Sequence, residues 1–427
     1  MNAAISVSIT NDMRFEELEE YDYDLPEGLI RKRGVEPRDA ARLFVYDTAA
    51  DVVTHAVFSD LAAYLPERAL LVLNETRVVP ARLMLKKETG GKIEVFVLAN
   101  ERRPEEETVP VLVDRKCVPG MKLLFPDGSF FRVVGQDENR FRVLLHSDEP
   151  LETLLDRYGA TPIPHYLENG NEAQDETELR KRYQTVFARS GASVAAPTAS
   201  LHFTDRVFVS LAERGIETVT VELDVGLGTF APLRPEHFGT RTLHLERITV
   251  SQETADRLNR AKSEGNPVVA VGTTALRTLE SVVSFPAFRS NGVVIEESTS
   301  PLKGESREGV RHPLPGIRGP RVPITEHPAY ARPRLLSEGG AGKAGEKCES
   351  LFQSFSGETD LFVFPPHRFR SADILLTNFH LPKSSLMLLV EAFLRDKGSK
   401  RNLVSLYEEA IQEGYAFYSF GDSMLIL

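Results

Sequence analysis

The stretch from Lys92 to His146 constrains the architecture more than any other part of the sequence. The runs IEVFVL, VPVLVD, MKLLF, FFRVV and RFRVLLH follow one another there, separated by Gly-Gly, Pro-Gly and Asp-Gly turns. Short alternating or apolar runs bounded by such turns read as strands, so a small all-β unit, barrel or sandwich, is expected over residues 90–150. The flanking segments differ in texture. LLVLN at Leu70–Asn74 reads as a buried strand, Val207–Arg214 as a helix stopped by Gly215, and Thr218–Val225 as a strand; helix-like Glu253–Ser263 precedes the strand VVAVG. That alternation predicts an α/β fold, a mixed sheet with packed helices. At 427 residues the chain exceeds one comfortable core. The expected division is a discontinuous large domain, residues 21–89 and 151–427, interrupted by the small β unit. Residues 1–20 are polar and acidic and read as a flexible lead-in without function; residues 298–350, rich in Pro, Gly, Arg, Glu and Ser, read as a mobile surface insertion.

A net charge of −11 argues against a protein that coats nucleic acid without specificity, yet leaves room for local basic patches such as Arg77, Arg82, Lys86 and Lys87. No apolar run is long enough to span a bilayer, and MNAAISVSIT lacks the basic start and apolar segment of a secretory signal. The two cysteines, Cys117 and Cys348, define neither a disulfide scaffold nor a zinc site. A cytoplasmic location is expected.

Polar groups directly after apolar strands mark candidate chemistry. Asn74–Arg77, Thr273–Thr274 and Thr377–His380 each read alone as a cap or turn, and together predict one polar cleft. Ala195–Phe203 offers small residues for close backbone approach, then Thr198 and His202 four residues apart; a cofactor could rest there, or His202 could be a hydrogen-bonded core residue. Gly226-Leu227-Gly228 is a weak dinucleotide signal, since the third glycine of GxGxxG is missing. His244 and Glu246 alternate on a predicted strand, which would put both on one face as acid and base. No further ligand at sensible spacing accompanies them, so no metal is expected. A GxSxG elbow is absent.

The segments YDLPEGLI, VLNETRVVPARL, GGKIEVFVL, RYQTVFAR, VAAPTASLHFT, VGLGTF, VAVGTTALRTLES and LLTNFHLPKSSLMLLVEAFL occur in this order. In them the chain resembles the S-adenosylmethionine:tRNA ribosyltransferase-isomerases of queuosine biosynthesis, from Tyr23 to Leu425 apart from the insertion. The resemblance implies that the inserted small β unit is a barrel. It also implies a reaction: the ribosyl part of S-adenosylmethionine, as co-substrate, is moved to the aminomethyl group of a 7-deazaguanine at the wobble position of tRNA. Isomerisation there gives epoxyqueuosine, with release of adenine and methionine. Such chemistry needs a base for the proton made acidic by the sulfonium, a proton donor for departing adenine and a neutral attacking amine. Among the matching motifs, His202, His244, Glu246 and His380 are the titratable candidates. Thr198, Gly226, Gly228, Thr273, Thr274, Arg277 and Asn378 would bind or orient the substrates; Arg77, Arg82 and Lys92 would meet RNA phosphate. A monomer working on tRNA without a membrane is implied.

The chain departs from the family pattern at several positions. Ser200 stands for a glycine, Asp224 for a histidine, Arg241 for a histidine, Pro366-His367 for a Gly-aromatic pair, His165 for a proline and Glu391 for a serine. A relative with altered substrate and a non-catalytic RNA-binding protein are the competing readings.

Overall fold

A computed structural model of the protein describes residues 13–103, 105–137, 140–164, 175–284 and 350–427. His165, Cys348 and all of the 298–350 insertion except Ser350 lie outside the described residues. The first strands are β1 (Arg42–Asp47), β2 (Val52–Val57), β3 (Leu70–Asn74) and β4 (Thr76–Val78). The middle of the chain gives β5 (Arg82–Lys87), β6 (Lys92–Val97), β7 (Thr108–Val113), β8 (Lys122–Leu124), β9 (Phe130–Asp137), β10 (Arg140–His146) and β11 (Gly159–Ala160). The remainder supplies β12 (Ser190–Ser193), β13 (Glu217–Leu223), β14 (Thr242–Val250), β15 (Val268–Val271), β16 (Phe355–Leu361), β17 (Ile374–Asn378) and β18 (Ser423–Ile426).

One sheet has nine strands in the order β16-β14-β13-β3-β15-β17-β18-β1-β2. Its centre consists of the apolar runs LLVLN, VVAV and ILLTN, buried along their whole length, as strands covered on both faces must be. The two faces feed different cores. Leu70, Val72, Val268 and Ala270 pack with the helices Gly272–Ser284, Ser385–Asp396 and Leu403–Gln412. Their neighbours Leu71, Leu73, Val269 and Val271 pack on the other side with Val207 and Leu211 of the helix Asp205–Glu213. Period-two side-chain alternation thus divides one run of sequence between two layers.

The second sheet runs β11-β5-β6-β7-β10-β9-β8, and β8 pairs again with β5, at Lys86↔Leu124 and Lys87↔Leu123. Its core is separate, built from residues such as Leu83, Val95, Val111, Phe131 and Val143, and the helix Leu151–Tyr158 adds Leu151, Leu154 and Leu155 to it. Pairing therefore reaches beyond residues 90–150, to Arg82 on one side and Ala160 on the other. β4 and β12 form a two-stranded parallel link.

Two expectations change here. The apolar run LFVF reads as a strand of its own, but in the fold Leu361 is the half-buried last residue of β16, and Phe362–Phe364 follow as a buried segment outside any strand. Residues 13–20, read as a loose lead-in, include most of a 3-10 helix, Phe15–Tyr21, whose Leu18 and Tyr21 enter the main core.

Candidate functional site

β3, β13, β15 and β17 are parallel neighbours or near neighbours, so their carboxyl ends share one edge of the large sheet. Ligands of open α/β sheets bind outside such ends. A cleft of about 440 Å³ lies there, lined from β13 by Val225 and from β15 by Gly272, Thr273 and Thr274. Thr377, Asn378, Phe379 and His380 line it from β17; Ala196–Ala199 and the 381–384 turn complete that wall. Of the three strand-end groups expected in one polar cleft, Thr273–Thr274 and Thr377–His380 meet there, joined by Ala196–Ala199 of the Ala195–Phe203 segment; Asn74–Arg77 lines none of it, and Arg77 borders a separate cavity beside Asp156.

Each wall has a local cause. β15 ends at Gly272, whose φ of +87° is a left-handed conformation that glycine adopts without strain. The chain turns at once into the helix Gly272–Ser284, so Thr273 and Thr274 sit in its first turn, where backbone N–H groups lack intrahelical partners. Asn378 donates through Nδ2 to the carbonyls of Tyr418 (3.2 Å) and Asp422 (3.4 Å), while its buried Oδ1 has no partner among the described residues. His380 is fixed three ways. Its Nε2 lies 2.8 Å from Thr377 Oγ1, its N–H donates to the Tyr407 hydroxyl at 3.0 Å, and its carbonyl accepts from the Tyr23 hydroxyl. Burial of the ring pushes its pKa down to about 3, so His380 is neutral at pH 7.

His202 is placed elsewhere. The 3-10 helix Thr198–His202 gives Thr198 and Ala199 to the cleft, whereas His202 lines a separate cavity of about 20 Å³ beside Arg38, with its ring 5.1 Å from Phe58. That volume has room for about one water. Ser419 borders both cavities. Burial pushes the His202 pKa down to about 4. A histidine depressed in the folded state gives stability that is present above its unfolded pKa and lost as pH falls toward the folded value. Acidification from pH 6.5 to 4 is therefore expected to destabilise the protein by an amount on the order of 3 kcal/mol from His202 alone. Denaturant unfolding across that range, with His202→Phe as the comparison, checks this; an equal pH slope in the variant would remove the assignment.

His244 and Glu246 both border the Gly226–Thr229 turn but differ in burial: His244 is exposed and Glu246 is buried, with a slip in the β14–β16 pairing between Thr242 and Glu246. Glu246 Oε1 accepts from Gly226 N–H at 2.9 Å and from the Thr229 hydroxyl at 2.7 Å, and Oε2 meets the guanidinium of buried Arg277. Neither Glu246 nor Arg277 lines the cleft, although Thr229 does. Gly226 and Gly228 are not cleft residues either. A Cβ on Gly226 would lie 2.6 Å from Asn100 Nδ2, and one on Gly228 would lie 2.3 Å from His244 Cδ2. Close packing, with no ligand needed, explains both glycines.

Arg82 shares the outer face of the β5–β6 pair with Lys86 and Lys92, and Lys86 stands directly opposite Lys92. Arg77 lies on β4 and pairs with Asp156 at 3.1 Å. Among the described residues no group of three His, Cys, Asp or Glu side chains could hold a metal, and no helix is long and apolar enough to cross a membrane.

Sequence reasoning missed the wall nearest the start of the described chain. Phe15, Leu18 and Glu19 line the cleft, held there by Lys383, which bonds Glu19 at 2.7 Å and Asp22 at 2.8 Å. The spacing of Phe15, Leu18 and Tyr21 at every third residue was the available signal, matching the three residues per turn of a 3-10 helix. Tyr418, at a positive φ of 71°, is a second missed lining residue, and nothing in the sequence announces it.

Named relatives match this chain over nearly its whole length. A protein of Moorella thermoacetica named S-adenosylmethionine:tRNA ribosyltransferase-isomerase is 37% identical over 414 residues, covering 96% of this chain and 99% of the relative. One of the same name from Symbiobacterium thermophilum is 38% identical over 413 residues, with 96% and 99% covered. A crystal structure described as an S-adenosylmethionine tRNA ribosyltransferase from Thermotoga maritima is 26% identical, covers 96% of this chain and 100% of that one, and superposes with a TM-score of 0.46. The family model described as "Queuosine biosynthesis protein" matches residues 18–307 and 339–426, and the chain belongs to that family.

Proposed function

We propose that this chain transfers and isomerises the ribosyl moiety of S-adenosylmethionine onto the 7-aminomethyl-7-deazaguanine at the tRNA wobble position. The products are epoxyqueuosine in the tRNA, adenine and methionine. One observation carries the reading: near-full-length similarity to proteins named for this activity, with three of the shared motifs meeting in one cleft. Its volume suits a small-molecule site. Departures from the family pattern also support it. Ser200, Asp224, Arg241, Pro366, His367 and Glu391 are all absent from the cleft lining. Asp224 accepts from the Thr76 hydroxyl and Ala192 N–H, and Glu391 from Leu403 N–H and Arg395 Nε, so both serve the scaffold. The described departures therefore leave the wall of the cleft itself unchanged.

Among the described lining residues His380 is the only imidazole, and we assign it the proton-transfer role. A neutral ring offers a lone pair to the acidic ribose proton or an N–H to departing adenine, without placing a cation beside the sulfonium. Thr198, Thr273, Thr274 and Asn378 orient the substrates, while Glu246 and Arg277 position the Gly226–Thr229 turn from behind. The small sheet is taken as a closed six-stranded barrel, since β8 returns to β5, nested in a large α/β domain. Its outer face, with Arg82, Lys86 and Lys92, would meet tRNA phosphates. The enzyme would act in the cytoplasm as a monomer.

Incubation with S-adenosylmethionine and precursor-bearing tRNA, followed by mass spectrometry of the nucleosides, tests the activity. Epoxyqueuosine with equimolar adenine is expected; unchanged tRNA would sink the proposal. Replacing Arg82, Lys86 and Lys92 together by alanine should weaken tRNA binding and reduce the salt slope by about 2 to 3. Unchanged affinity and slope would move the RNA surface elsewhere.

A further inference from the structure

Two longer helices begin at the cleft, Gly272–Ser284 with 13 residues and Ser385–Asp396 with 12. Their first N–H groups lack intrahelical acceptors and carry partial positive charge, which suits an anion. Ser384 caps the second helix by accepting from Met387 N–H at 3.3 Å, so the N–H groups of Ser385 and Leu386 are not taken by that cap. Lys383 does not compete for the anion, because Glu19 and Asp22 already hold its ammonium.

Beside these donors sits an unmatched acceptor. Asn378 is 2% exposed and lines the same cleft, and its Oδ1 has no partner among the described residues. The amide cannot be turned around without cost, since its Nδ2 donates to two backbone carbonyls that only a donor can satisfy. Oδ1 is therefore held as an acceptor, and a buried acceptor without a donor is unfavourable until something supplies one. Parallel register sets Val271 against Leu376, which brings the start of the Gly272 helix alongside Thr377 and Asn378. Thr274 Oγ1, in that first turn, is also buried and unpartnered.

A donor-rich end flanking one fixed acceptor matches a group bearing both a carboxylate and an ammonium. We propose that Gly272–Thr274, the Ser384 turn and Asn378 form a subsite for a zwitterionic α-amino acid group; resting on the function proposed above, this is the methionyl end of S-adenosylmethionine. The carboxylate lies against the helix N-termini, and the ammonium donates to Asn378 Oδ1. A purine edge also presents a donor beside an acceptor, but it is neutral and makes little use of two helix N-termini.

Calorimetry on the full-length protein separates the cases. The ligands are S-adenosylmethionine, its decarboxylated and deaminated analogues, and 5′-methylthioadenosine, which lacks the amino acid altogether. Loss of either charged group is expected to weaken binding about 10- to 100-fold. Asn378→Ala should weaken S-adenosylmethionine by a similar factor and leave the deaminated analogue and 5′-methylthioadenosine unchanged. Equal binding of intact and truncated ligands by the unmodified protein would overturn the subsite, whether or not the variant folds. So would an equal loss for 5′-methylthioadenosine in Asn378→Ala, which would assign the amide to adenine. In either case, continued formation of epoxyqueuosine would leave the proposed function standing; no binding of any of these ligands would overturn the subsite, and together with unchanged tRNA would remove both.

Discussion

His380→Ala is expected to lower turnover by about 100- to 10,000-fold while leaving tRNA affinity unchanged, because a positioned proton-transfer group is commonly worth that factor. The ring lies in the cleft wall, three contacts fix its backbone and Nε2, and burial holds it neutral. Thr377→Val removes only the hydroxyl partner of Nε2 and should give a smaller loss in the same direction. His202→Ala is the control. Its side chain lines a different cavity, so its cost should appear in stability before it appears in the chemical step. Single-turnover measurements, alongside tRNA binding for each variant, decide the matter. Full turnover in His380→Ala would exclude the assignment.

The largest stability effect is expected at Glu246. Its carboxylate and the Arg277 guanidinium are both buried, at 3% and 5% side-chain exposure, and the same carboxylate gathers the Gly226 N–H and the Thr229 hydroxyl. Glu246→Ala leaves a buried cation without its partner, a change that costs about 3–5 kcal/mol. Glu246→Gln keeps an acceptor for Gly226 and Thr229 but not the charge, and should fall between. Adding Arg277→Met to Glu246→Gln removes the stranded cation and should recover part of the loss, since a matched apolar replacement of a buried pair is often tolerated. Urea unfolding of the three proteins provides the test. A loss below about 1 kcal/mol for Glu246→Ala would mean that the pair contributes no more than a surface one.

Much of the frame was legible because burial writes itself into local composition. LLVLN, VVAV and ILLTN are continuous apolar runs since both faces of their strands are covered. The small unit announced itself through closely spaced turns, though its limits did not: Arg82–Lys87 reads locally as an extension of the preceding segment, and only pairing with β6 and β8 assigns it. Site residues were harder. His244 and Glu246 were paired as acid and base by their alternation, which does not reveal that the ring is exposed while the carboxylate is buried on Arg277. His202 was grouped with Thr198, but in a five-residue 3-10 turn the two side chains serve different cavities. Phe15 and Glu19 were overlooked because FEELEEY has almost no apolar run; its place depends on contacts with Lys383 and Arg395, more than 360 residues away.

The position of β18 has a consequence for the protein during its synthesis. Ser423–Ile426 lies between β17 and β1, parallel to β1 at Leu43↔Ser423 and antiparallel to β17 at Leu375↔Ile426. Until those residues leave the ribosome, β1 and β2 have nothing to join, and β17 presents an open edge able to pair with another nascent chain. A polypeptide released before residue 423 would thus carry every motif of the cleft and yet hold a sheet split in two. Premature termination here should yield insoluble fragments cleared by proteolysis, rather than a weakened enzyme competing for tRNA.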